Sequence, residues 1–244
     1  MTNLTVNEAE LSQQIEDVLV ARNLRGMKTV QPALETGYYL RAAQMLRYDV
    51  FVRELGGGGA MVDHEAGLER DRFDPYFDHM IVSDAATGAV VGVYRLLRDD
   101  QARAAGQFYS EDEYDLSVLK ASGRRLLELG RSCLHPDYRG GMAMFHLWTA
   151  LADYVERHGI EILFGVASFH GTDVQALAQP LSLLHHNHLA PPELRVRAKA
   201  FQPMDLVAAQ DLDRRKAMLE LPALIKAYLR LGALWARGLL WITP

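Results

Sequence analysis

Residues 124–169 constrain the fold most. An apolar run, RRLLELGRSC, leads into a loop containing Tyr-Arg-Gly-Gly, then into MAMFHLWTALADYVERHG, whose apolar residues recur at helical spacing, and then into a second apolar run, IEILFGVASF. Strand, turn, helix and strand in this order predict a crossover between two strands of one sheet. The run at 160–169 is nearly continuous in apolar residues, the pattern of a strand buried on both faces. Upstream, residues 79–84 and 89–97 are β-rich runs joined by Ala-Ala-Thr-Gly, which predicts an antiparallel hairpin. A sheet with both kinds of pairing, flanked by helices, follows: an α+β fold.

Other segments fill in around this core. Residues 6–21 and 38–55 read as helices, the second with Leu40, Ala43, Leu46, Val50 and Phe51 on its apolar side and stopped by the four glycines at 56–59. A helix is predicted over 172–189 with Thr172 as its N-cap, and the alternation of LRVRAKAF at 194–201 predicts an edge or hairpin strand. With 244 residues, 49% apolar and 23% charged, the chain is globular in composition, and one large domain with extra helices fits as well as two domains. A net charge of -5 argues against a general nucleic-acid binder. The one cysteine, Cys133, excludes an intrachain disulfide and fits a reducing compartment. The N-terminus is acidic with no basic and apolar leader pattern, and no run of about 20 residues is free of charge, so the cytoplasm is the expected location.

The loop carries the first chemical signal. A strand that ends in a glycine-containing turn and feeds a helix presents unpaired N–H groups and the positive end of the helix dipole, a setting that suits phosphate. Arg139 adds a forked donor, and Gly140 and Gly141 let the backbone approach an anion. An ordinary strand-to-helix loop with a solvated arginine is the equally simple alternative. Glu128 and Arg131 are three apart on the preceding strand and face opposite sides unless a bulge intervenes; Gly130 is where one fits. Such a bulge frees a backbone N–H to polarise a carbonyl.

This strand, bulge, Arg-Gly loop and helix resemble the GNAT superfamily of acyltransferases, which bind the pyrophosphate or phosphopantetheine of an acyl thioester there. The turn departs from the usual superfamily pattern, because Met142 and Met144 occupy its two glycine positions. Four blocks narrow the likeness: LRYDVFVREL at 46–55, DRFDPYFDH at 71–79, GVYRLL at 92–97 and LELGRSCLHPDYR at 127–139 resemble the ornithine-lipid N-acyltransferases and, more distantly, the acyl-homoserine-lactone synthases. The resemblance spans about 38–232 and implies a GNAT-like fold: a mixed, mostly antiparallel central sheet with an extra C-terminal helix. It also implies transfer of a 3-hydroxyacyl group from acyl carrier protein to the α-amine of ornithine, giving lyso-ornithine lipid. No permanently bound cofactor or metal is implied, since the acyl carrier protein thioester is a co-substrate. By position, Arg47, Phe51, Asp71, Asp74 and Arg95 fall on the substrate-binding pattern. Glu128 and Arg131 fall on the catalytic strand, and Arg139, Gly140, Gly141 and Ala143 on the donor-binding turn. These residue types suit that chemistry, with carboxylates for the amines, arginine for the carboxylate, and Glu128 as base for the attacking amine.

Three further features carry weaker signals. His185, His186 and His188 do not share one helical face, so a polar helix end is preferred over a zinc site. Cys133 lacks a nucleophile motif and reads as a structural thiol. Leu221, Leu224, Ile225, Tyr228, Gly232 and Trp235 follow helical spacing, while Lys216, Lys226, Arg230 and Arg237 face only Glu220 between 216 and 244. With Trp235 and Trp241 this stretch, 219–241 above all, suits contact with an anionic membrane surface as well as docking on the core. Arg124, Arg125 and Arg139 are candidates for a surface that receives an acidic carrier protein. The expected division is a helical extension at 1–35, an acyltransferase domain at 36–205 and an amphipathic helical segment at 206–244. Another amine acceptor such as glycine or lysine, a homoserine-lactone synthase, and a non-catalytic acyl- or lipid-binding protein stand as alternatives.

Overall fold

The computed structural model describes residues 27–30, 36–169, 171–236 and 239–240. The helix expected at 6–21, and most of the extension expected at 1–35, lie outside them. Among the described residues one sheet contains β1 (Met27–Val30), β2 (Asp78–Asp84), β3 (Val90–Arg98), β4 (Leu126–Leu134) and β5 (Ile162–Gly165), side by side in that order. The first three pairings are antiparallel and β4–β5 is parallel. The α+β fold with a mixed, mostly antiparallel sheet is therefore present. The β2–β3 hairpin turns where expected, with Asp84 Oδ1 accepting from the amides of Ala86 and Thr87 and Gly88 at φ 74° closing the turn.

Helices cover both faces of the sheet. α1 (Thr36–Arg47) continues into a π-helical segment, Tyr48–Glu54, and packs Ala43, Leu46 and Val50 on Ile81, Val93 and Cys133. α2 (Asp99–Ala105) follows β3 directly, and α3 (Ala143–His158) places Ala143 and Leu147 on Val82, Tyr94, Leu96, Leu127 and Leu134. Neighbouring residues such as Ile81 and Val82, or Val93 and Tyr94, thus serve opposite faces, as strand alternation requires. Each large apolar side chain buried this way contributes about 1.5–3 kcal/mol before conformational entropy is counted.

Three elements differ from expectation. β5 is only four residues long and Leu163 is 38% exposed, because β5 is an edge strand rather than a central one. Its last residue, Gly165, passes so close to β4 that an added Cβ would sit 2.3 Å from the Leu129 carbonyl oxygen, and pairing ends there. The helix expected from 172 begins at Ala178. Thr172 does not cap it; Asp173 Oδ1 instead accepts from Gln175 and Ala176, and Pro180 sits in the first turn, where its missing N–H costs nothing. The run at 194–201 yields only two-residue strands, Arg197–Ala198 and Phe201–Gln202.

The described chain forms two compact units. The described residues from Met27 to Tyr109 together with Arg125–Gly165 build the sheet unit, and Ser110–Arg124 with the described residues from Val166 onward build the second. In the second unit α4 (Ala178–His188), α5 (Arg214–Glu220) and α6 (Ala223–Arg230) enclose Leu181, Leu184, Met204, Ala217, Leu221 and Ile225. Its C-terminal part is two short helices, not one long one. Leu221 before Pro222 is extended, and Gly232 at φ 82° follows the end of α6. Leu221 and Ile225 point into the core, and Trp235 packs against it and pairs by its backbone with Leu189, so half of the expected apolar stripe is docked on the unit.

Candidate active site

The sheet unit holds a buried network of charged side chains under α1. Arg47, the last residue of α1, is fully buried: Nε donates to Glu69 Oε2 at 2.5 Å, Nη1 and Nη2 form a fork on Asp74 at 3.0 and 2.8 Å, and Nη2 also reaches the Glu69 carbonyl. Gln44, one helical turn earlier, donates to Asp74 Oδ2 at 2.9 Å. From β3, Arg95 Nη1 donates to Asp74 Oδ1 at 2.6 Å and Asp71 Oδ2 at 2.8 Å, while its guanidinium lies over the Phe77 and Tyr109 rings. Asp71 Oδ1 also accepts from the amides of Phe73 and Asp74, which shapes the loop that delivers both carboxylates. Burial alone would raise the Asp74 carboxyl; the hydrogen bonds and charge of Arg47, then the charge of Arg95, outweigh it and hold it well below the ordinary carboxylate range. Burial likewise opposes charge on Arg47, but Asp74 and Glu69 keep it charged.

Arg131 joins the network through a distortion of β4. In the β3–β4 ladder Arg95 is opposite Gly130 and Val93 is opposite Cys133, so Arg131 and Ser132 together face the single residue Tyr94. Among the described residues Arg131 is the one non-glycine with positive φ, at 53°. The bulge is thus present next to Gly130, and the left-handed residue is the arginine itself. Such a conformation costs about 1–3 kcal/mol and persists only when the surroundings hold it. They do: Arg131 Nε donates to Glu69 Oε1 at 2.8 Å, Nη2 donates to the Tyr109 hydroxyl at 2.9 Å and lies 3.2 Å from Met61 Sδ, and the guanidinium lies 5.9 Å over the Phe51 ring. The extra residue also shifts the phase of the strand. Leu127 faces α3 whereas Cys133 faces α1, so Glu128 and Arg131 share the side of Arg95.

Glu128 is 1% exposed, and its Oε2 accepts from the Tyr109 amide at 2.7 Å. Tyr109 therefore ties both predicted catalytic residues together, Glu128 through its backbone and Arg131 through its hydroxyl. His79 lies behind Asp74, with Nε2 3.0 Å from the Asp74 carbonyl oxygen. Burial pushes its pKa down, which assigns the neutral form with the proton on Nε2. Beyond the loop, Arg139 is engaged rather than free: Nη1 and Nη2 donate to Glu54 at 2.5 and 2.6 Å, and Nε and Nη2 reach the Leu134 carbonyl. Gly140 has φ 74° and Gly141 follows it into the start of α3. The Ala143 side chain is in the core, so what it can offer a ligand is its backbone amide.

The structure thus gathers Arg47, Phe51, Asp71, Asp74, Arg95, Glu128 and Arg131 into one cluster and leaves Arg139, Gly140 and Gly141 at the turn. It adds Gln44, Met61, Glu69, His79 and Tyr109, which sequence reasoning missed. The signal for Gln44 was its position three before Arg47 on one helix face; Glu69 stood among look-alike charges in HEAGLERDRFD. Cys133 is buried in the apolar cluster beneath α1, and burial pushes its thiol up to about 12, far from a nucleophile. Among the described residues no group of three His, Cys, Asp or Glu side chains is placed to hold a metal ion; His186 Nε2 instead lies 2.9 Å from the Val207 carbonyl oxygen.

Residues 46–149 match the family described as an acetyltransferase (GNAT) domain. The bulged strand, the helix that follows it and the sheet beside them define a GNAT-type acyltransferase. The chain is 63% identical over 204 residues to the L-ornithine N(alpha)-acyltransferase of Rhodobacter capsulatus, covering 82% of this chain and 79% of that one. It is 43% identical over 208 residues to the protein of the same name from Brucella abortus, covering 82% and 74%. The chain belongs to the L-ornithine N(alpha)-acyltransferase family. Among solved structures, the crystal structure of the AHL synthase LasI is 20% identical with a TM-score of 0.44, covering 58% of this chain and 72% of that one.

Proposed function

We propose that this acyltransferase moves a 3-hydroxyacyl group from the phosphopantetheine thioester of acyl carrier protein to the α-amine of L-ornithine, giving lyso-ornithine lipid. The observation that carries the chemical part is the pairing of a buried carboxylate, Glu128, with a bulge at Arg131 on the same side of the same strand. The acceptor rests on the relatives' name. In the reaction Glu128 takes a proton from the amine, directly or through water, and the freed nitrogen pair attacks the thioester carbonyl. A carbon–nitrogen bond forms, the bulge amide near Gly130 and Arg131 stabilises the oxyanion, and the carbon–sulfur bond breaks, the surplus proton on nitrogen passing through solvent to the departing phosphopantetheine thiolate. Arg139 and the amides of Gly140, Gly141 and Ala143 receive the phosphate of the donor. Arg47, Asp71, Asp74 and Arg95 use most of their groups on one another, so in this reading they order the platform on which Glu128, Phe51 and Arg131 meet the substrate.

The product is amphiphilic, so we place the work in the cytoplasm at the inner face of the membrane. Exposed Met218 and Leu219 beside Lys216 and Lys226 support a surface contact, and among the described residues no helix is long and apolar enough to cross a membrane. The test is mass spectrometry of products from the purified chain with acyl carrier protein thioester and ornithine. Wild type is expected to form lyso-ornithine lipid, and Glu128→Gln to lower kcat by about 100-fold or more. Full turnover by Glu128→Gln sinks the base assignment; absence of any acylated amino acid sinks the reaction.

A further inference from the structure

The polar core leaves the acceptor's place open, because its charged groups already face one another. Arg47 is fully buried, and Asp74 takes both arginines and Gln44. An open, shallow cleft lies elsewhere on the sheet unit, lined by Met61, Asp63, His64, Glu65 and Arg70 with Ala60 and Val62. We propose that this cleft seats the acceptor, a basic amino acid with one carboxylate and two amines; the assignment rests on the acyl-transfer reading above.

The cleft lies in the right place. Two short strands, Val62–Asp63 and Leu68–Glu69, pair with Val62 opposite Glu69 and Asp63 opposite Leu68. One end of this hairpin sends the Glu69 carboxylate into the buried core, while its first strand with the flanking residues, and Arg70 after the second strand, line the cleft. Met61 belongs to both. It lines the cleft, and its sulfur lies 3.2 Å from Arg131 Nη2 and 3.9 Å from the Tyr109 hydroxyl. Met61 therefore joins the cleft to Arg131 and Tyr109.

Its charges also match. The cleft carries both signs, which suits a ligand that itself carries both. Arg70 Nη2 and Asp63 Oδ2 pair at 2.7 Å, with the arginine more than half exposed, and such surface pairs are weak enough for a ligand to enter. Glu65 is exposed, and its side chain makes no hydrogen bond or ion pair among the described residues. His64 is fixed by Tyr48, whose hydroxyl lies 3.1 Å from Nδ1. Asp63 and Glu65 can then take the side-chain ammonium together and Arg70 the carboxylate, with a fork suited to two oxygens, which leaves the α-amine for Glu128.

The experiment uses the full chain with L-ornithine and with L-norvaline, which lacks the side-chain amine. Glu65→Gln and Asp63→Asn are chosen because Glu65 is exposed and Asn keeps the Oδ1 acceptor for the Ala66 amide. Each is expected to raise the KM for ornithine about tenfold, the loss of one charge contact, while leaving the KM for norvaline within about twofold. Unchanged ornithine KM in both variants overturns the cleft. Calorimetric titration of ornithine separates this from failure of the reaction: binding by wild type that weakens about tenfold in Glu65→Gln supports the cleft even if no acyl transfer occurs. Wild-type binding that neither variant weakens overturns it.

Discussion

Glu69 sets one carboxylate oxygen 2.5 Å from Arg47 and the other 2.8 Å from Arg131, so a single side chain neutralises parts of two buried guanidinium groups. Removing its charge leaves both arginines under-compensated where water cannot help. Glu69→Gln is expected to destabilise the protein by about 3–5 kcal/mol, the scale for breaking a buried pair from one side, and urea unfolding measures it. A loss below about 1 kcal/mol would show that the pair is not buried in solution. His79 adds a pH effect of defined sign. Burial lowers its folded pKa, so below about pH 6.5 the unfolded chain binds a proton that the folded chain refuses. Its contribution is complete above that value and is lost as pH falls toward the folded pKa. Urea midpoints at pH 7.5, 6.5 and 5.5 are expected to fall in wild type and to fall less in His79→Gln. Of these residues, Arg47, Asp71, Asp74 and Arg95 were legible through the motif blocks that carry them. Glu69 and Tyr109 were not, because their importance comes from contacts at sequence separations that no local pattern encodes; His79 closes the block at 71–79, but nothing in the pattern gave it a role.

At the level of elements, the bulge decides what β4 can do. Glu128 and Arg131 belong on opposite faces of a regular strand, and the extra residue brings them together. Its existence was legible from Gly130, but the left-handed position at Arg131 was not, since the conformation is held by distant Glu69 and Tyr109. The reading of 160–169 as a doubly buried strand missed for a related reason: apolar content reports burial, yet it does not tell an edge strand packed by other segments from a central one. The turn after β4 yields a prediction. Glu54, at the end of the π-helical segment, occupies the fork of Arg139 proposed above to receive the donor phosphate. The hydrogen bond with Arg139 lowers the Glu54 pKa, so the carboxylate stays charged and competes at neutral pH. Because the pair is exposed, the competition is modest. Glu54→Gln is expected to lower the KM for the acyl carrier protein thioester by about two- to fivefold in steady-state assays. A higher KM would mean that Glu54 positions Arg139 for the donor rather than blocking it.

For the whole molecule, net charge and local charge make opposite demands on the proposed donor. The chain carries -5, and an acidic carrier protein is repelled by that sum at long range. Docking therefore needs a local positive surface, and exposed Arg124 and Arg125, which lead into β4, are the candidates; Arg139 is held by Glu54. The two effects respond differently to salt. If local attraction governs encounter, raising ionic strength shortens the screening length to about 8 Å at 0.15 M and lowers kcat/KM; if net repulsion governs, the same change raises it. The expected result is a fall in kcat/KM for the acyl carrier protein thioester between low and physiological salt. A small acyl-pantetheine donor, which needs no protein docking, is expected to show little dependence. Reversing both charges, Arg124→Glu with Arg125→Glu, is expected to reduce kcat/KM for the carrier-protein donor about tenfold at low salt and to invert its salt dependence, so that the rate rises with salt, with the small donor unaffected. A rate that rises with salt in wild type, or a double variant that loses the small donor equally, would remove these arginines from the docking surface.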